Sequence, residues 1–208
     1  MRFAKASTPK PSLSNDPSLE TPSTPPVKLY EYFHILDNDI SFPERCERLI
    51  TRRAYQEFYI KLQNEIVIQQ QIRRQVFSVV QGKAGIGKSM FVVWLMCKLL
   101  CEEENPVIFY CPRYDSKWLI RKHHPPKQCP AGHYQDCDYY LCDNVDAKQG
   151  SEYRCRLTLA ASSDPNNIVE IDKRGKDNNS LVELFMPDFP YDECYNLFVH
   201  SKFLTEGW

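Results

Sequence analysis

Five short apolar, β-prone runs punctuate the chain: Val76-Phe77-Ser78-Val79-Val80, Val107-Ile108-Phe109-Tyr110-Cys111, Tyr139-Tyr140-Leu141-Cys142-Asp143, Leu157 to Ser163, and Leu181 to Met186. Continuous runs of this length, closed by polar or proline-containing stretches, predict strands buried on both faces. Between the first two lies Met90 to Leu100, apolar on nearly every side, which predicts a helix buried against a sheet. Upstream, Pro43 introduces a helical stretch. In it Tyr55, Phe58, Tyr59, Leu62 and Ile66 recur at helical spacing and should line one face packed on the core. Asp164 to Ser180 reads as a short helix within a loop, and Tyr191 to Phe203 as a helix whose apolar side is Tyr191, Cys194, Tyr195, Leu197 and Phe198. Five strands separated by crossovers predict an α/β fold with a doubly wound, mostly parallel five-stranded sheet. Residues 1–28 alternate proline with serine and threonine and read as a disordered tail. Residues 29–72 read as a helical extension packed on the core, and 73–208 as the core itself.

The length of 208 residues suits one such domain with extensions. A formal net charge of −1 gives no global attraction to nucleic acid or an anionic membrane, and no apolar run approaches the roughly 18 residues that span a bilayer. The N-terminus lacks the apolar core of a secretory signal. Nine cysteines, several inside expected strands and helices (Cys97, Cys111, Cys142), fit buried thiols in a reducing compartment better than a disulfide framework.

One stretch adds chemistry to the pattern. Gln81 to Ser89 fits Gly82-x-x-x-x-Gly87-Lys88-Ser89 at every fixed position, with a third glycine, Gly85, inside. It lies between an expected strand and an expected buried helix, the context this motif requires. The glycines let successive backbone N–H groups of Gly82, Lys83, Ala84, Gly85, Ile86, Gly87, Lys88, Ser89 and Met90 turn toward an anion. Lys88 would reach the β- and γ-phosphates of a nucleoside triphosphate, the Ser89 hydroxyl would hold Mg²⁺, and the following helix would add its positive end. ATP and Mg²⁺ are therefore the expected ligands.

Asp143 ends the third expected strand, about 55 residues beyond the motif with one strand between. A short apolar strand ending in an acid is the pattern that places a second ligand for Mg²⁺ opposite Ser89. The next residue is Asn144, which cannot accept a proton from an attacking water, so Asp146 is the alternative acid. Ser162 or Ser163 would either sense the γ-phosphate or simply end the fourth strand. Arg113 to Lys127 is the most basic window, with five Lys/Arg against one Asp; it reads as a mobile surface loop, or else as a contact for nucleic-acid phosphates. Arg45, Arg48, Arg52 and Arg53, interleaved with Glu44 and Glu47, read as a solvated helix face with internal ion pairs. Cys129, His133 and Cys137 carry ligand-type side chains, but their spacing lacks the tight pairs of a zinc site.

Four blocks together resemble a known family: Glu44 to Ile50 through Tyr55-Gln56-Glu57-Phe58; Gly85 to Phe91; Tyr140 to Asp143; and Leu184-Phe185-Met186-Pro187 leading into Tyr191 to Cys194. The set is similar to the P-loop NTPase module of Crinkler effectors and retrotransposon hot spot proteins, within the additional-strand division of P-loop NTPases, and covers roughly residues 40–204. The resemblance implies ATP binding through Gly85, Gly87, Lys88 and Ser89, with Lys88 and Asp143 in hydrolysis and Asp143 on the metal. It also implies a regulatory or effector role inside cells, in cytoplasm or nucleus, with secretion into a host cell for a true Crinkler. Such modules are usually fused to a C-terminal effector domain, whereas this chain stops at Trp208 and its start carries no convincing translocation segment. Two other functions remain open at this point: a nucleotide switch that does not hydrolyse, acting on a protein partner, and a nucleic-acid-associated protein.

Overall fold

The computed structural model describes residues 3–5, 32–35, 48–111, 117–128, 137–143 and 155–194. Its centre is a mixed seven-stranded sheet, so the protein is α/β. The five expected strands are β4 (Val76–Gln81), β5 (Val107–Cys111), β8 (Tyr139–Asp143), β9 (Leu157–Ala161) and β10 (Leu181–Phe185). They pair in parallel in the order β10-β4-β9-β8-β5. The expectation of five strands is corrected by two more, β6 (Trp118–Arg121) and β7 (Lys127–Gln128), added antiparallel beyond β5. The basic window is thus in part an edge hairpin and not only a loop. Its Trp118, Leu119 and Ile120 have the side chains to extend a sheet, and Lys and Pro are frequent along exposed edges.

Alternation along the strands divides the core in two. Val76, Val80, Tyr139, Leu141, Leu157, Leu159, Val182 and Leu184 face helices α1 (Arg53–Gln71) and α2 (Lys88–Glu102). Phe77, Val79, Tyr140, Cys142 and Ala160 face the other way, where Ile168 and Ile171 pack at helix α3 (Val169–Asp177). Gly175 lets α3 lie close, since a Cβ there would stand 2.8 Å from Leu181 Cβ and 3.0 Å from Phe77 Cβ. Helix α2 is buried over almost its whole length, as its composition requires. On α1, Tyr55, Leu62 and Ile66 are buried, and Phe58 and Tyr59 pack beside them, so the expected apolar face does meet the core.

The helix in residues 29–72 begins at Arg53, not soon after Pro43. Two short strands precede it, β2 (Tyr32–Ile35) and β3 (Arg48–Ile50). Within the stretch read as a tail, the described residues form β1 (Phe3–Lys5), which pairs antiparallel with β2, as β2 does with β3. The last described residues, 191–194, open a helix, and its expected continuation to Phe203 lies outside the described residues. Among the described residues no helix is long and apolar enough to cross a membrane.

Burial pushes the phenols of Tyr55, Tyr110 and Tyr139 well above their ordinary value of 10.0. Each therefore keeps its proton in the folded state where the unfolded chain has lost it. Their contribution is complete below pH 10 and is lost as pH rises above it. Cys142 and Cys155 are also held above their ordinary value of 9.0, so unfolding free energy, followed by urea titration between pH 8 and 11.5, is expected to begin falling near pH 9 and to fall more steeply above pH 10, by about 1.4 kcal/mol per pH unit for each retained proton.

Candidate functional site

Strand β4 ends at Gln81, and the chain turns through residues 82–87 into α2. Gly82, Gly85 and Gly87 have φ of +140°, +78° and +94°, a region that side chains with a Cβ rarely enter. Space adds a second constraint at two of them. A Cβ on Gly82 would lie 2.6 Å from Ile86 Cδ1 and 3.0 Å from the Met186 carbonyl oxygen, and one on Gly87 would lie 2.7 Å from the Tyr55 hydroxyl. Gly87 is the N-cap of α2 and offers no side-chain acceptor to the first-turn N–H groups, and that turn carries no acidic residue. The positive end of this helix is left to whatever anion enters the loop.

Lys88 folds back over the loop, where its ammonium donates to the carbonyl oxygens of Gly82 (2.9 Å) and Lys83 (2.5 Å). It is buried, and burial pushes its ammonium below the ordinary lysine range, while the negative charge of Asp143 pulls it back up. Asp143 is the buried last residue of β8. Strand register fixes its position: Asp143 is level with Ala161 on β9, and Ala161 is level with Val80 on β4. The carboxylate therefore emerges on the same edge of the sheet as the loop, two strand spacings (about 10 Å) across.

The remaining expected residues divide clearly. Lys83 is exposed and pairs with Asp188 at 2.7 Å. Ala84, Gly85 and Ser89 are exposed, Ile86 is tucked under Gly82, and Met90 packs its side chain on the apolar core. Of the positions expected at the metal, Ser89 stands in the first turn of α2 and Asp143 at the end of β8. Asn144 and Asp146 lie outside the described residues, as do Cys129 and His133. Cys137 is buried with its sulfur 3.1 Å from that of Cys155, and among the described residues no group of three His, Cys, Asp or Glu is placed to hold a metal ion. The Ser162 hydroxyl accepts from Asp164 N (3.0 Å) and Asn167 Nδ2 (3.2 Å), so it organises the turn that ends β9.

One residue that matters here does not lie where its sequence neighbours suggest. Arg52, expected on a solvated face, is only 3% exposed. It donates through Nε to Glu193 (2.8 Å), through Nη1 to the Ile86 carbonyl (2.6 Å), and through Nη2 to the carbonyls of Pro187 (3.2 Å) and Asp188 (3.3 Å). Its guanidinium carbon stands 3.8 Å from the centre of the Phe189 ring. The other Glu193 oxygen accepts from Arg53 N at 3.1 Å, at the start of α1. Tyr55, correctly expected in the core, also donates its hydroxyl to the Gly87 carbonyl at 2.8 Å. Partners 141 positions apart, as Arg52 and Glu193 are, leave no local signal in a sequence.

Comparison with protein-family models gives no match, and comparison with curated proteins gives none either.

Proposed function

We propose that this chain is a P-loop nucleoside-triphosphate module that binds ATP with Mg²⁺ and hydrolyses it. The observation that carries the proposal is the Gly82–Ser89 loop: a strand-to-helix turn with three glycines at positive φ, two of them without room for a Cβ, and the Lys88 ammonium folded across it. That donor set suits a polyphosphate. The N–H groups of the loop and the start of α2 would line the β-phosphate, and Lys88 would leave its two carbonyl partners for the β- and γ-phosphate oxygens. Ser89 and Asp143 would hold Mg²⁺, which, when bound, offsets charge on the transferring phosphoryl group. Lys88 would stabilise the charge that develops on the equatorial oxygens, and the loop would hold the phosphate chain in line for attack by water.

The strand order supports the same reading. One strand, β9, separates β4, which leads into the loop, from β8, which carries Asp143. An added strand between the two strands that carry the motifs fits the additional-strand P-loop NTPases, although the antiparallel hairpin at the far edge makes the sheet mixed. Kinship with the Crinkler and retrotransposon hot spot NTPase modules is part of the proposal. In its favour, three of the four blocks quoted for the resemblance meet at Arg52 and Tyr55: the first block around α1, the loop block through Ile86 and Gly87, and the last through Pro187 and Glu193.

A second reading is favoured by Asn144, which follows Asp143 directly and offers no base: a switch that binds ATP without turning it over. Phosphate release separates the two. The hydrolase is expected to release phosphate only with Mg²⁺, and Asp143→Asn is expected to slow release about 100-fold. A chain that binds ATP but releases phosphate no faster than its Asp143→Asn variant is the switch.

A further inference from the structure

We propose that Arg52 and Tyr55 are positioning residues for the phosphate loop, holding the carbonyls of Ile86 and Gly87 from outside so that the N–H groups of Gly87 and Lys88 face the phosphates. The proposal rests on the ATP-binding reading and adds what gives the loop its shape. In a trans peptide the carbonyl and the following N–H point in opposite directions, and the described residues contain no cis bond. Fixing the Ile86 carbonyl on Arg52 therefore aims the Gly87 N–H the other way. Fixing the Gly87 carbonyl on the Tyr55 hydroxyl, together with the Phe91 N–H at 2.9 Å, does the same for the Lys88 N–H. These are consecutive peptides at the entrance of α2, where an anion would meet the helix.

The chemistry of the two side chains favours orientation over mere filling. Taking a guanidinium and a carboxylate out of water is costly, and well-packed apolar groups of similar volume often fill such a space at no loss of stability. What an apolar group cannot supply is a donor at a fixed angle. The planar fork of Arg52 supplies one to the loop while its other nitrogens bind Glu193 and the carbonyls of the segment after β10. Glu193, held in turn by Arg53 N, fixes the guanidinium in plane, and Phe189 stacks on its face. Loop, start of α1 and segment 187–193 are thereby joined through one side chain. The 2.7 Å between the Tyr55 hydroxyl and a notional Cβ on Gly87 indicates how closely phenol and loop fit.

The test titrates wild type, Tyr55→Phe, Arg52→Lys and Lys88→Ala with Mg²⁺·ATP and with inorganic tripolyphosphate, alongside thermal melts. Tyr55→Phe keeps the ring in the core and removes only the hydroxyl. It is expected to weaken ATP about tenfold, tripolyphosphate by the same factor, and to move Tm by only a few degrees. Arg52→Lys keeps the charge but loses the fork, and is expected to weaken both ligands by about tenfold or more. Wild-type affinity in a Tyr55→Phe protein, with binding weakened about 100-fold in Lys88→Ala, would overturn the positioning role and leave the ATP reading standing. Loss of ATP affinity with tripolyphosphate unaffected would also overturn it, because the effect would then lie away from the phosphates. No binding by wild type would remove the ATP reading and this inference together.

Discussion

Lys88→Ala is expected to weaken Mg²⁺·ATP binding by about 100-fold, because hydrogen bonds from a charged donor to phosphate are each worth roughly 1.5–3 kcal/mol. On the proposed mechanism the rate of hydrolysis should fall further, by about 10²- to 10³-fold, since the ammonium would leave its two carbonyls for the oxygens on which negative charge grows in the transition state. Stability should behave differently. Burial pushes the Lys88 ammonium below its ordinary range, so holding the charge there works against folding. The two carbonyls it contacts, those of Gly82 and Lys83, belong to half-buried and exposed residues and can turn to water. Alanine is also the best helix former at the first position of α2. Tm is therefore expected to hold within a few degrees or to rise, and a melt beside the titration separates lost binding from lost folding.

The largest effect on stability is expected at Trp94. It is 1% exposed in the seam between α1 and α2. Its ring lies 5.8 Å from Tyr55, 6.0 Å from Tyr59 and 6.2 Å from Phe91, measured between centroids. Its indole N–H donates at 2.9 Å to the hydroxyl of Thr51, which is also buried. Trp94→Ala removes the largest side chain of the cluster and leaves a cavity the neighbouring rings fill only in part, at about 3–5 kcal/mol. For a domain of this size that is a drop of roughly 6–20 °C in Tm. Trp94→Phe keeps most of the packing but strands the Thr51 hydroxyl, and is expected to cost about 1–3 kcal/mol. Urea unfolding of the two variants checks both figures, and equal stability of Trp94→Ala and wild type would mean that the seam does not hold α1 to α2.

The parts of this architecture that are legible in the sequence are those whose causes are local. Strands β4, β8 and β9 announce themselves because a strand buried on both faces must be apolar throughout and must end in turn residues, as Tyr139 to Asp143 does, whereas β10, expected to be buried likewise, lies at the edge of the sheet and exposes Glu183 and Phe185. Helix α2 is legible because its whole surface is buried. The loop is legible because positive φ at Gly82, Gly85 and Gly87 restricts residue type at fixed spacing. The hairpin β6–β7 is hidden because a strand at the edge of a sheet is half exposed, so Trp118, Leu119 and Ile120 sit among lysine, arginine and histidine that resemble a loop. Arg52 is hidden for a different reason. Its neighbours Arg53, Glu47 and Glu44 make a solvated face the obvious choice, and only the approach of Glu193 and the segment after β10 gives its charge somewhere to go. Ser162 shows the limit of inferring a role from position alone: its hydroxyl lies at the end of β9, and the turn below it takes two of its hydrogen bonds.

Isothermal titration of the folded chain with ATP, with and without Mg²⁺, tests the central claim most directly. The expected result is saturable heat with one site per chain, tighter with Mg²⁺ than without it and greatly weakened in Lys88→Ala. The absence of heat from a chain shown to be folded by its melt, with ATP or GTP and Mg²⁺ both present, would contradict it.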